Sequence, residues 1–461
     1  MFKSRRKLYI GKKPSQQKRI SPLWVLVSIP LLLVVLEVGI RLFFSFTEKP
    51  PRLMSQQDDS ALAQAYQLTF LTNDQPIEGL PEGGRLKVER HPVGGYQLVP
   101  NQDSQFWQIN DQGWRETVSI PQNKPSDEIR VFILGGSSAF GYRNNSNQDT
   151  IAQKLEQRLN QRVEQQQAQP NQYQPEVLPF YEPDRIRLLE KTPRLREGNY
   201  QVINAAVPGY VSGNQLAQLA LQILAYDPDL IIVIGGYQDL MLPSEKSFAD
   251  IPLVETYLSN APQHFRAYLR KPLNHWGQNS DLVQLATAYM ETPAVPTTKN
   301  TLVLNQNPTQ PLASYLPQQP SELVKRVQRY RQNHLQMVRL AAGAGVPLIS
   351  AVQPELTGRD LENLPRQEQE LINQLGKDYI QEVQNAYTEL RNANAQLEQI
   401  FPNNVDSVNL YSIYTDFSNQ AFVNPIHLTA EANAIAAERL YNQIKQMPKM
   451  QIAPQEPGTS N

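Results

Sequence analysis

Apolar residues are arranged along this chain in two recurrent patterns. Short β-branched runs, RVFIL (130–134), QVINAAV (201–207), DLIIVI (229–234) and VPLISAV (346–352), with a weaker VNLYSIY (408–414), have the length of buried strands. Between them, at 149–166, 214–226, 321–342 and 366–400, apolar residues recur every three to four positions, as on a helix with one buried face. Near-continuous apolar strands alternating with helices predict a parallel sheet covered on both faces. The expected fold class is therefore α/β, a three-layer α/β/α arrangement on five parallel strands.

A third pattern is the unbroken run PLWVLVSIPLLLVVLEVGIRLFFSF, residues 22–46. As a helix rising about 1.5 Å per residue it is long enough to cross a hydrocarbon core of roughly 30 Å. Its charges, Glu37 and Arg41, stand four residues apart and can pair on one face. The alternative is that they contact a partner membrane helix. Residues 1–21 carry eight Lys and Arg and no acid, so the positive-inside rule keeps the N-terminus in the cytoplasm and exports the chain beyond the helix. The apolar run is too long for a signal peptide and no A-x-A site follows it. A single-pass anchor with a periplasmic or extracellular main domain is expected.

The resulting organisation is a basic cytoplasmic segment (1–21), one transmembrane helix (22–46), a linker and irregular N-terminal extension (47–125), a main domain (126–449) and a disordered tail (450–461). Insertions are expected at about 161–195, Gln- and Pro-rich, and at 240–320, with scattered aromatics.

Charge and composition narrow the chemistry. Without the eight basic residues of the terminus, 43 Lys and Arg fall to 35 against 44 Asp and Glu, a formal charge of −9, which argues against nucleic-acid binding by the main domain. Zero cysteines exclude a disulfide framework, a thiolate nucleophile and a Cys-based metal site.

Candidate chemistry begins where the first strand stops, at VFILGGSSAFGY (131–142). A strand, a small-residue turn and a helix place backbone N–H groups at the carboxyl edge of the sheet, where open α/β sheets bind ligands. Alone, this turn is compatible with tight packing, anion binding or a serine nucleophile. It lacks the spacing of dinucleotide and P-loop motifs, and no cofactor or metal is implied. Three further segments belong to the same edge: INAAVPGYVSGNQ with Gly209, IGGYQDL with Gln238 and Asp239, and FVNPIHLTAEANAIAAERLY with His427 just before a helix that Thr429 can cap. Read singly, His427 could be a surface histidine, Gly209 a plain turn residue and Gln238 a polar strand-end residue.

Together and in this order, preceded by Ile109, Asn110, Gly113 and Arg115 in an I-N-x-x-G-x-R pattern, these blocks resemble those of the SGNH (GDSL-type) hydrolase superfamily, in particular its membrane-anchored bacterial members. The resemblance spans about residues 109–441. It implies a flavodoxin-like sheet with Ser137 as nucleophile, His427 as general base, and the Ser137 and Gly209 N–H groups with the Gln238 amide as oxyanion hole. It also places Asn424 where the family has the aspartate that orients the base, Gln238 where it has asparagine, and Gly136 where it has the aspartate before the serine. An oxyanion donor contributes on the order of 3 kcal/mol, and replacing the orienting aspartate by asparagine lowers a serine protease by about 10⁴. Asp416 could replace Asn424 only if its loop folds back. Arg115 is expected to brace the first block, and Asp239 to brace the loop after the third strand.

The implied activity is hydrolysis of esters through an acyl-enzyme, on O-acyl groups of envelope or extracellular glycans or lipids. Alternatives are an O-acyltransferase using the same pair in polysaccharide modification, and a catalytically degenerate glycan-binding or assembly protein. The near match of Gly135-x-Ser137-x-Ala139 to the GxSxG elbow of α/β-hydrolases is a third, disfavoured because Ser137 follows the first strong strand.

Overall fold

A computed structural model describes residues 22–46, 61–77, 80, 84–251 and 311–457. The basic segment 1–21, most of the expected insertion at 240–320 and the last four residues lie outside the described residues. The helix Pro22–Phe46 belongs to one compact unit and the sheets to another.

Five strands, β1 (Glu128–Gly135), β2 (Asn199–Asn204), β3 (Leu230–Gly235), β4 (Leu348–Val352) and β5 (Val405–Asn409), form one sheet in the order β5-β4-β3-β1-β2. Every neighbouring pair is parallel. The order reverses between β1 and β3, and in open α/β sheets the crevice at that switch point is the ligand position. Register there is close: Gly135 is level with Ile234, so Ser137 follows at the level of Gly236.

Strand side chains alternate between two apolar layers. Val131, Ile133, Ile232, Ile234, Ile349 and Ala351 pack with the helices Ile151–Ala168 and Ala430–Ile444. Phe132, Leu134, Ile231, Val233 and Leu348 face the helices Ser212–Leu221 and Pro320–Gly343. At roughly 25 cal/mol per Å², burial of such β-branched and aromatic chains is what holds a strand with no exposed face. The helix Arg366–Ile400 occupies its expected span but breaks at Gly376 (φ 80°, ψ 167°).

Three expectations are corrected. The last strand runs Val405–Asn409 rather than 408–414, because the Asn409 side chain accepts from Tyr411 N (3.0 Å) and turns the chain. The N-terminal extension expected to be irregular is regular in part: Leu68–Thr72, Gln75–Pro76, Leu86–His91 and Gly95–Leu98 form a four-stranded sheet whose Leu86, Val88 and Tyr96 join the main core. The tail does not start at Met450, which is buried, and Gln451–Ile452 pairs antiparallel with Arg194–Leu195.

In the N-terminal helix, Arg41 Nε bonds Glu37 Oε1 at 2.8 Å, the intrahelical pair its spacing suggests. Among the described residues no helix is long and apolar enough to cross a membrane.

Candidate active site

Four sequence candidates converge at the β1/β3 edge. Ser137 opens a short helix, Ser137–Phe140, directly after β1, and Gln238 lies in the helix Tyr237–Met241 directly after β3. His427 and Asn424 sit on the loop ahead of the last helix, whose N-terminus Thr429 caps by accepting from Ala432 N (3.2 Å). His427 Nε2 lies 2.8 Å from Ser137 Oγ, and Gln238 Nε2 donates to the same oxygen at 3.2 Å. The Tyr142 ring stacks on the imidazole with centroids 4.7 Å apart.

The polarity of this chain of bonds is set from its far end. Asn424 Oδ1 accepts from the backbone N–H groups of Ile426 (3.1 Å) and His427 (2.9 Å), two donors that only the oxygen can satisfy. The amide nitrogen is thereby turned to His427 Nδ1, 2.6 Å away. Nδ1 must accept, so the ring proton resides on Nε2 and points at Ser137 Oγ. In this state His427 is a donor to the serine, and the Oγ receives two hydrogen bonds, one from His427 and one from Gln238. Removing the serine proton requires the other tautomer, which Asn424 opposes.

Burial sharpens this arrangement. Ser137 is 1% exposed, and His427 and Asn424 are fully enclosed. Enclosure, and after it the nearby Arg143 charge, hold the His427 imidazolium form well below its ordinary range, so the ring is neutral.

Gly136 fits the same geometry. A Cβ there would stand 3.1 Å from Gln238 Cδ and Oε1 and 3.1 Å from the Tyr210 carbonyl. The longer amide arm of Gln238 thus occupies the space that a side chain at 136 would need, which links two of the three departures from the family pattern.

The remaining expected residues are placed as follows. Gly209 lies in a left-handed turn (φ 87°) after β2, and Val207 N donates to Gly135 O (3.1 Å), bringing that turn to the first block. Among the described residues Gly209 makes no hydrogen bond to Ser137, His427 or Gln238. Asp416 is exposed, and Asn424 takes the position beside Nδ1. Asp239 braces its loop, accepting from Ser212 N (3.1 Å) and Ser212 Oγ (2.5 Å). Arg115 braces the first block from below, with Nη1 donating to the Phe140 and Gly141 carbonyls at 3.0 and 2.7 Å.

Other neighbours were not singled out by sequence reasoning. Tyr142 and Arg143 follow the serine block directly, and that adjacency was the available signal. Glu355, after β4, is enclosed with Tyr379 OH (3.0 Å) and Thr357 N (2.8 Å) as donors, and Tyr379 OH continues to Tyr237 OH (3.1 Å), the residue before Gln238. The next residue, Leu356, donates to Pro425 O (2.8 Å) on the histidine loop. Burial pushes the Glu355 carboxyl up to about 7. No motif marks this residue.

The geometry supports acyl transfer to a serine oxygen: a hydroxyl, an adjoining imidazole and an amide donor on one atom. Among the described residues no group of His, Asp or Glu is arranged to hold a metal.

No family model and no curated protein matches the chain. Among solved structures it is similar to a lipase/acylhydrolase from Enterococcus faecalis, at 12% identity and a TM-score of 0.35 over 69% of this chain and 95% of that one. A GDSL-like lipase from Bacteroides thetaiotaomicron is similar at 12% and 0.29 over 71% and 92%. A catalytic mutant of an acetylxylan esterase from Geobacillus stearothermophilus is similar at 9% and 0.33 over 70% and 96%. At such low identities and TM-scores these likenesses assign no residue role; the neighbours of this fold are lipolytic and acyl-hydrolysing enzymes.

Proposed function

We propose that the chain is a membrane-tethered serine acyl hydrolase of the SGNH type whose turnover is held low by Asn424. The observation that carries this is the 2.8 Å approach of His427 Nε2 to Ser137 Oγ at the switch point of the sheet. Ser137 attacks an ester carbonyl, His427 takes its proton after the ring proton has moved to Nδ1, and the alkoxide leaves with a proton from Nε2. Water then releases the acyl group by the same route. Gln238 Nε2, already on the serine oxygen, moves its bond to the developing oxyanion beside the Ser137 and Gly209 N–H groups. The substrates are O-acyl groups of envelope or extracellular glycans or lipids. The apolar run 22–46 and the eight basic residues before it support a tether with the N-terminus in the cytoplasm and the main domain outside.

The test is labelling of the purified full-length chain with a fluorophosphonate. Wild type reacts slowly, and Ser137→Ala and His427→Ala do not. Failure of folded wild type to react favours a second reading, a catalytically silent glycan-binding or assembly protein. The enclosed Ser137 and the donor presented by Asn424 are the observations on that side.

A further inference from the structure

We propose that Gln353 binds free hydroxyls beside the ester, so that the alcohol part of the substrate is a polyol, a sugar or a glycerol, and not a simple alcohol. The inference rests on Ser137 and His427 being the reacting pair. Gln353 directly follows β4, and its N–H donates to the Gly235 carbonyl (2.9 Å), which carries the ladder with β3 one residue beyond the strand. Gly235 is level with Val352 and Ile234 with Gly135, so Gln353, Gly236 and Ser137 share one row across three adjacent strands. At about 4.8 Å between strands, the Gln353 and Ser137 backbones stand about 10 Å apart. Gly236, between them, has no side chain to fill that span. Side-chain alternation puts Gln353 on the face of Ile349 and Ala351, in the layer packed with the helix Ala430–Ile444. The histidine loop leads into that helix, and Leu356 N, three residues after Gln353, fastens the chain to Pro425 O on the loop (2.8 Å). Gln353 thus stands at the same edge of the sheet as Ser137, on the face that carries the histidine loop.

The amide itself is the second observation. Gln353 is fully enclosed, and among the described residues neither its Nε2 nor its Oε1 has a hydrogen-bond partner. A donor and an acceptor buried unpaired cost free energy, whereas the amides of Gln238 and Asn424 are engaged. Among the described residues Gln215 is the other amide with both atoms unpaired, but it lies 3.3 Å from where a Gly235 Cβ would stand, on the opposite face with the helix Ser212–Leu221. A hydroxyl both donates and accepts, and two on neighbouring carbons satisfy an amide oxygen and nitrogen together. An acyl chain offers neither, so Gln353 reads the alcohol side of the ester. Ser137 is enclosed to a similar degree, so the opening that admits an ester to the serine uncovers this row as well.

The test uses the full-length chain in detergent and two pairs of acetyl esters that differ in hydroxyls. The sugar arm is methyl 2-O-acetylxyloside against its 3,4-dideoxy counterpart, and the glycerol arm is 1-acetylglycerol against propyl acetate. Wild type is expected to prefer the hydroxylated member of at least one pair by about tenfold or more in kcat/KM, since a site built to bond a hydroxyl rejects the analogue without it. The arm with the larger ratio names the alcohol. Gln353→Met, an apolar chain of similar length, brings that ratio close to one and leaves Tm unchanged or higher, because an unpaired amide is removed. A purely structural amide predicts the reverse, a lower Tm and an unchanged ratio. A ratio near one in wild type in both arms, or one unchanged in Gln353→Met, overturns the inference and leaves the serine–histidine pair standing. Hydroxyl-dependent calorimetric binding to Ser137→Ala, lost when Gln353→Met is added, with no cleavage by wild type, keeps the subsite and removes the reacting pair.

Discussion

Asn424 presents its amide nitrogen, and not an oxygen, to His427 Nδ1 at 2.6 Å, because its oxygen is held by the N–H groups of Ile426 and His427. One atom of difference from an aspartate therefore reverses the direction of the bond from histidine to serine. The expected sign is a ring proton on Nε2 in wild type and on Nδ1 in Asn424→Asp, whose second carboxylate oxygen accepts it. Imidazole ¹⁵N shifts of His427 measure this directly. Protonation at Nδ1 in the wild type would refute the bond polarity described here.

The Gly136 and Gln238 positions are coupled sterically. Gly136→Ala forces the Gln238 amide or the Tyr210 carbonyl to retreat by a few tenths of an ångström, and overpacking of this kind costs about 1–3 kcal/mol. Denaturant unfolding should show that loss. Gln238→Ala, which removes an amide donor and no backbone contact, should slow fluorophosphonate labelling about 10²–10³-fold with a smaller stability change. Equal labelling rates in wild type and Gln238→Ala would show that the amide takes no part.

Glu355 makes stability depend on pH. Its carboxyl is raised by burial from an ordinary 4.5 to about 7, so between those values the folded chain holds a proton that the unfolded chain has released. Stability from this group is complete below about 4.5 and is lost as pH rises to 7, by at most on the order of 3 kcal/mol. Glu355→Gln does not titrate, so its stability relative to wild type should improve steadily across that window in urea unfolding. A constant difference from pH 4.5 to 8 contradicts this.

Arg115 holds the floor of the serine block, its guanidinium donating to acceptors on Phe106, Phe140, Gly141, Ser146, Asn147 and Tyr66. Arg115→Ala removes these bonds together with a fully buried side chain and leaves a cavity beneath the block, and should destabilise the domain by about 3–5 kcal/mol, read as a fall in Tm. Arg115→Lys should restore little, since an ammonium cannot span the fork.

Much of the frame was legible because β1, β3 and β4 are buried on both faces and so appear as unbroken apolar runs. The strand-end positions of Ser137 and Gln238 and the helix cap at Thr429 then brought the site residues to one edge. The small sheet escaped notice although Leu86 and Val88 alternate with Lys87 and Glu89, since a strand of six residues between Gly and Pro turns also reads as a linker. What could not be read was orientation. Whether Asn424 offers nitrogen or oxygen depends on which backbone N–H groups reach it, and Gly136 has meaning only once Gln238 stands in its space. Glu355 lacked any signal, because its enclosure is created by Tyr237 and Tyr379, which precede and follow it in sequence by 118 and 24 residues.

The most direct measurement of the central claim is the rate of fluorophosphonate labelling of Ser137 in Asn424→Asp relative to wild type, with Ser137→Ala as blank. With the histidine free to accept the serine proton, the rate should rise by about 10²–10⁴, the scale on which the reverse change acts in a serine protease. An unchanged rate, or no labelling of either folded protein, would contradict a serine–histidine pair restrained by Asn424.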